Sequence, residues 1–165
     1  MKTPTKAHIL SCLERVRDPE IPVLSIIDLG IVRDIVINGE QVCVKVTPTY
    51  SGCPALKAIE DSVAEALRDQ GVTDVIVERV YNPAWSTDWI TPEGKQKLKE
   101  YGIAPPGPAS DEGLVLLSRR SQPSITCPFC NSPATEKRSE FGATACKALH
   151  FCNACQQPFE SFKPH

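Results

Sequence analysis

Four cysteines, Cys127, Cys130, Cys152 and Cys155, form two Cys-x-x-Cys knuckles with 21 residues between them. Each knuckle can wrap its backbone around one side of a metal ion, and two together complete a tetrahedral thiolate shell of the kind that holds structural Zn²⁺. Such a closed shell builds structure, because it leaves no position open for a reactant. Rubredoxin-like iron and iron–sulfur clusters use the same ligand, so thiolate coordination is fixed more firmly than the metal. Disulfides or dithiol redox centres are the competing uses of two such pairs. The spacing, one residue past the roughly 15–20 usual between zinc knuckles, favours metal over both. Cys146, six residues before the second knuckle, is a fifth thiol that could substitute for a ligand or stay free.

A second sulfur stands in a different setting. Cys53 precedes Pro54, and proline favours the first position of a helix, so Cys53 is expected at the N-cap. There the unpaired backbone N–H groups and the helix dipole would push a thiol toward the thiolate, the form that attacks electrophiles and binds metals. Gly52 leaves its approach open, and Thr47, Thr49 and Ser51 gather hydroxyl donors near it. The plain alternative is a small buried cap residue. Cys12, on a helical stripe, and Cys43, in a strand, are explained by packing. Asp18, Glu20 and Asp28 could be paired carboxylates for acid–base work, but Asp18-Pro19 and Asp28-Leu29-Gly30 also read as turns, and that reading is preferred. His8 reads as a surface or boundary residue rather than a ligand.

These residues need elements to position them. Ile9, Leu13 and Val16 mark one stripe of a helix with Thr5 as its cap. Pro19 and Pro22 then enforce a loop. Ile31, Ile35 and Ile37 alternate with polar residues, Asn38-Gly39 turns, and Val42, Val44 and Val46 alternate again, which predicts a hairpin. After Pro48 a helix carries Leu56, Ile59, Val63, Ala66 and Leu67 on one face and stops at Gly71. Residues 75–80 form a third strand, and Thr91-Pro92-Glu93 opens a short helix that ends at Gly102. The order is α-β-β-α-β, a compact α+β layer, spanning 1–103. The loop tryptophans Trp85 and Trp89 are read as covering the core rather than as a binding surface. Residues 104–124 are a proline-rich, semi-stiff linker in which Leu114-Val115-Leu116-Leu117 is a short strand or docking segment, and 125–165 is the metal domain.

A 165-residue chain suits one ordinary domain plus a small one that needs a staple, which the metal would supply. No apolar run approaches the roughly 20 residues of a membrane span, and the start lacks the apolar core of a signal peptide, so the expected location is cytoplasmic, where cysteines stay reduced. The net charge of −2 gathers in no basic cluster, which argues against nucleic acid as a partner. No phosphate loop, dinucleotide fingerprint or Gly-x-Ser-x-Gly elbow supports an ordinary dehydrogenase or hydrolase.

Asp18-Pro19-Glu20-Ile21-Pro22-Val23, Asp28-Leu29-Gly30 and Thr47-Pro48-Thr49-Tyr50-Ser51-Gly52-Cys53-Pro54 together resemble the MIP18 (DUF59) family, implicated in iron–sulfur cluster assembly. Trp85-Ser86-Thr87-Asp88-Trp89, the run 140–149 and the two knuckles resemble the branch found in bacterial phenylacetate degradation. The resemblance covers almost the whole chain except the stretch near 104–124. It implies an accessory or maturation factor, not itself an enzyme, for the multicomponent phenylacetyl-CoA epoxidase, with that enzyme's components or the iron–sulfur assembly machinery as partners; an electron-transfer or structural adaptor subunit of the oxygenase complex is the alternative. The chain's lack of Glu-x-x-His pairs agrees that it is not the di-iron oxygenase. The family's cysteine maps onto Cys53, where iron or an iron–sulfur cluster would be held transiently, and Asp18, Glu20 and Asp28 match its loop motif. A homodimer would bring a second thiolate.

Overall fold

A computed structural model describes residues 4–50, 52–107 and 125–164. Ser51 and the apolar stretch 114–117 lie outside the described residues. The chain forms two compact units, Met1–Gly94 and Lys95–His165.

The first unit opens with α1, Lys6–Leu13, where the Thr5 hydroxyl accepts the His8 N–H at 3.3 Å and Ile9, Cys12 and Leu13 are buried. The expected stripe continues to Val16, but the helix does not. Arg15 and Val16 donate three residues back, to Cys12 and Leu13, the tightened geometry of a helix end, and Val16 is buried from the turn that follows.

Strands β1, Val32–Asn38, and β2, Gln41–Val46, pair antiparallel. Their last pair is Asn38 with Gln41, so the two-residue loop is Gly39-Glu40, one residue later than the sequence turn. Helix α2, Ala55–Arg68, crosses to β3, Asp74–Arg79, which runs parallel to β2 and gives the order β1-β2-β3. Alternation sends Ile35, Val42, Val44 and Val46 to a single buried face, and the 3.6-residue period of α2 buries Leu56, Ile59, Val63 and Leu67. Each such side chain contributes about 1.5–3 kcal/mol by leaving water.

The acid-bearing loop is tightly organised. Asp18 Oδ1 accepts the Glu20 and Ile21 N–H groups at 2.7 and 2.8 Å, while Ser25 and Asp28 exchange side-chain-to-backbone bonds at 2.9 and 3.0 Å. The segment after β3 closes over this loop. Trp85, buried, donates its indole N–H to the Leu29 carbonyl at 2.8 Å, and the Arg33 guanidinium lies 3.6 Å from the centre of the Trp89 ring. Trp85 therefore covers the core, while Trp89, partly buried, packs against Gly30 and Arg33. Gly30 has φ +67°, and a Cβ there would come within 2.5 Å of the Trp89 carbonyl oxygen, so the close approach excludes any side chain.

Helix α3, Pro92–Glu100, begins in the first unit and leads into the second. There β4, Ile103–Ala104, β5, Thr135–Ser139, β6, Lys147–Cys152, and β7, Pro158–Phe162, form a sheet in the order β4-β7-β6-β5. Its core gathers Ala104, Cys127, Cys152 and Phe159. Cysteine occupies two of the most buried positions of this unit, Cys127 and Cys152. Among the described residues, no helix is long and apolar enough to cross a membrane.

Candidate functional site

The knuckle sulfurs converge. The four Sγ atoms of Cys127, Cys130, Cys152 and Cys155 lie within 4.8 Å of one another, with Cys127 to Cys155 at 3.8 Å and Cys130 to Cys152 at 3.5 Å. A disulfide needs about 2.05 Å, so these are free thiols. A metal at the zinc–thiolate distance of about 2.3 Å would sit among sulfurs roughly 3.8 Å apart, which this quartet matches.

The two knuckles repeat one backbone design. Asn131 and Gln156 donate to the carbonyls of Cys127 and Cys152, both at 2.9 Å, while Cys127 and Cys152 donate to Ser132 and Gln157 at 3.0 and 2.9 Å. Asn131 and Gln156 take φ of 58° and 59°, the left-handed turn that folds each loop back under its sulfurs. Backbone N–H groups of Cys155 and Ala154 aimed at the Cys152 sulfur hold its pKa down to about 7, whereas desolvation and the neighbouring thiols push Cys155 up to about 12. Cys146 is not part of the quartet. It is buried in the same unit, its sulfur 3.1 Å from the Thr144 hydroxyl.

Cys53 lies at the C-terminal ends of the parallel strands β2 and β3, where α2 begins. The helix starts at Ala55 with Pro54 in the cap position, so Cys53 stands one residue before the expected place. The helix start still acts on the sulfur, since the Ala55 N–H and the Thr49 hydroxyl both favour its thiolate form. Gly52, at φ +82°, supplies the left-handed turn that brings the chain from Tyr50 into this position.

The expected drift toward thiolate is corrected. The Cys53 pKa is raised, first by burial of the half-buried sulfur and then by the nearby charges of Glu20 and Asp18, which together outweigh the two hydrogen bonds. Asp18 and Glu20 thus act on Cys53 through their charge, and Thr49 through its hydroxyl. Asp28 is engaged elsewhere: its carboxylate accepts from Ser25, and its carbonyl takes the Thr91 N–H at 2.8 Å. His8 is exposed, its ring 3.9 Å from the Cys12 sulfur.

A cleft of about 260 Å³ opens beside the thiol, its wall shared by Pro48, Cys53, Pro54, Lys57, Arg79 and Tyr81. Sequence reasoning missed Lys57, Arg79 and Tyr81. Lys57 is one helical turn beyond Cys53 and was within reach of a periodicity argument, but Arg79 and Tyr81 arrive only because β3 lies parallel to β2. That topology puts the ends of both strands and the start of their crossover helix at one place, the usual location of sites in α/β units.

Residues 6–78 match the family described as "Iron-sulfur cluster assembly protein", and residues 115–163 match "PaaD zinc beta ribbon domain". The chain is 45% identical over 161 residues to the D component of the putative 1,2-phenylacetyl-CoA epoxidase of Escherichia coli (strain K12), covering 97% of this chain and 94% of that protein. It is also 38% identical over 100 residues to the "Fe-S protein maturation auxiliary factor YitW" of Bacillus subtilis (strain 168), covering 59% of this chain and 97% of that one. Among solved structures, a DUF59 domain from Bacillus anthracis matches with a TM-score of 0.54 at 29% identity, over 56% of this chain and 90% of that chain. A conserved hypothetical protein from Thermotoga maritima matches with a TM-score of 0.51 at 34% identity, over 59% and 98%. With an α+β DUF59 layer followed by a four-cysteine ribbon, and with a relative matched nearly end to end, the chain belongs to the family of the 1,2-phenylacetyl-CoA epoxidase D component.

Proposed function

We propose that this protein is an accessory or maturation factor for a multicomponent phenylacetyl-CoA epoxidase and not itself an enzyme. In this reading Cys53 takes up iron or an iron–sulfur cluster and passes it to a client. The observation that carries it is the separation of two kinds of sulfur: a quartet that closes on itself, and a single half-buried thiol at the wall of a cleft within the cluster-assembly match. One protein thiolate leaves the other positions on iron to exchangeable ligands, which hand-over requires, whereas four protein thiolates release a metal slowly. The partners are the epoxidase components or the iron–sulfur assembly machinery, met in the cytoplasm, and a second copy of the chain would supply a second Cys53.

The ribbon residues Cys127, Cys130, Cys152 and Cys155 would hold Zn²⁺, whose contribution is to fold the tail that meets the client. A rival reading, an electron-transfer protein, draws on the same quartet, since its spacing suits iron as well as zinc. Anaerobic purification distinguishes them: zinc gives a colourless protein, and ferric thiolate or a cluster absorbs visible light. For the carrier role, Cys53→Ser should leave the fold and the tail metal unchanged and lower client iron content and activity severalfold when the epoxidase is co-produced with it. Full client metallation beside the variant would remove that role.

A further inference from the structure

The charge around Cys53 is divided. Asp18 and Glu20 bear on the sulfur from the loop, but Asp18 Oδ1 already accepts two backbone N–H groups. Among the described residues, three or more ligand atoms suited to a metal ion converge in the cysteine quartet and not here. The described residues lining the cleft include two cations, Lys57 and Arg79, a phenol, Tyr81, and no carboxylate. On the cleft wall a bare metal cation would meet one sulfur and two positive side chains, which are ion-paired to Asp61 and Glu60 of α2, while the charges of Glu20 and Asp18 also bear on the sulfur.

Arg79 is held in place. Its Nη2 donates to Glu60 Oε2 at 2.7 Å and its Nε donates to the other Glu60 oxygen, which, with Tyr81 acting in the same direction, keeps the guanidinium firmly protonated. A guanidinium offers five N–H donors, so these bonds leave capacity for a ligand. Lys57 pairs with Asp61 one turn along α2, but both side chains are mostly exposed, and such a pair is worth little, so the ammonium is readily redirected.

We propose that this cleft selects an anionic cargo: Cys53 captures an iron–sulfur cluster that arrives already ligated by thiolates, and Lys57 and Arg79 balance its negative charge, in preference to a bare ferrous ion. The proposal rests on the carrier reading of Cys53 and narrows it. Capture is a ligand exchange. A bond forms between Cys53 Sγ and one iron, the bond from that iron to one incoming thiolate breaks, and the Cys53 proton passes to the departing thiolate, which leaves as a thiol. No electron is transferred. The Thr49 hydroxyl and Ala55 N–H, which favour the thiolate form of Cys53, remain to stabilise it once it is bound to iron.

The test uses the full chain under anaerobic conditions with two probes, a thiolate-ligated [2Fe–2S] cluster and ferrous ion alone, on the wild type, Cys53→Ser, a Lys57→Gln/Arg79→Gln double variant and a charge-keeping Lys57→Arg/Arg79→Lys variant. The wild type should retain the cluster through Cys53 more tightly than ferrous ion. The charge-removing pair should weaken retention about tenfold, the scale of two partly exposed charge contacts, and the charge-keeping pair should restore most of it. Cys53-dependent retention that ignores Lys57 and Arg79, or that favours ferrous ion, would overturn the anionic selection while leaving the carrier role standing. Cluster retention unchanged in Cys53→Ser would overturn both.

Should Arg79→Gln unsettle the α2–β3 contact through Glu60, the Lys57→Gln single variant carries the test. Relative to a free cysteine peptide, Cys53 should react faster with anionic iodoacetate than with neutral iodoacetamide, and the preference should shrink severalfold in that variant, read by mass spectrometry of the Cys53 peptide. Equal ratios in wild type and variant would refute the charge selection whatever the cargo.

Discussion

The Ala55 N–H and the Thr49 hydroxyl favour a thiolate at Cys53, yet burial and the charges of Glu20 and Asp18 raise its pKa. A helix start favours a thiolate only where the sulfur also stays solvated, and solvation is a property of the folded surroundings. Because the pKa is raised, alkylation of Cys53 by iodoacetamide should be slower at pH 7 than that of a free cysteine and should keep rising past pH 9, as followed by mass spectrometry of its peptide. A rate that levels off below pH 8 would contradict the assigned environment. Gly30 makes the corresponding point for packing. Gly30→Ala adds both a left-handed strain and a clash with the Trp89 backbone, so a loss of about 2 kcal/mol or more is expected in a urea titration followed by tryptophan fluorescence. The Asp28-Leu29-Gly30 stretch, read in the sequence as a turn, is thereby also the seat for the Trp85–Trp89 segment.

Helix α2 and the strands it joins place Cys53. The apolar period of α2 was plain in the sequence, and its buried residues Leu56, Ile59, Val63 and Leu67 are the expected ones. The hairpin of β1 and β2 was equally plain, because alternation and a glycine turn are local signals. That β3 joins β2 in parallel, on the edge away from β1, was not legible, since the pairing partner of a strand depends on contacts far along the chain. Leu67, wholly buried on α2, is the direct probe of this packing. Leu67→Ala should cost the first unit about 2–5 kcal/mol, measured by denaturant midpoint, while leaving the tail metal content unchanged. A cost under about 0.5 kcal/mol would mean that α2 does not depend on this contact.

At the scale of the whole molecule, two units solve the same problem of cohesion differently. The first buries apolar rows between α2 and its sheet; the second centres its core on Cys127, Cys152 and Phe159 and so depends on what those sulfurs bind. A strong chelator should therefore unfold the tail, read as proteolysis within 125–165, while the circular dichroism of α2 persists. A metal-free tail that resists protease would refute the dependence. Metal retention should also fall with acid. Thiolates bind metal and thiols do not, so protons compete, and Cys152, held at about 7, should give up its advantage as pH drops below that value. Metal transfer to a chromophoric chelator, measured from pH 8 to pH 5, should quicken toward the acid end.

The quartet, the hairpin, α2 and the family pattern around Cys53 could be read before any folding was known, because each is written in short-range spacing: two residues between ligands, two per pleat, 3.6 per helical turn. Folding in three dimensions was needed to leave Cys146 out of the quartet, to keep the proton on Cys53, and to bring Lys57, Arg79 and Tyr81 into its cleft. Those outcomes turn on desolvation and on which strand ends meet, and both are sums over residues distant in the chain.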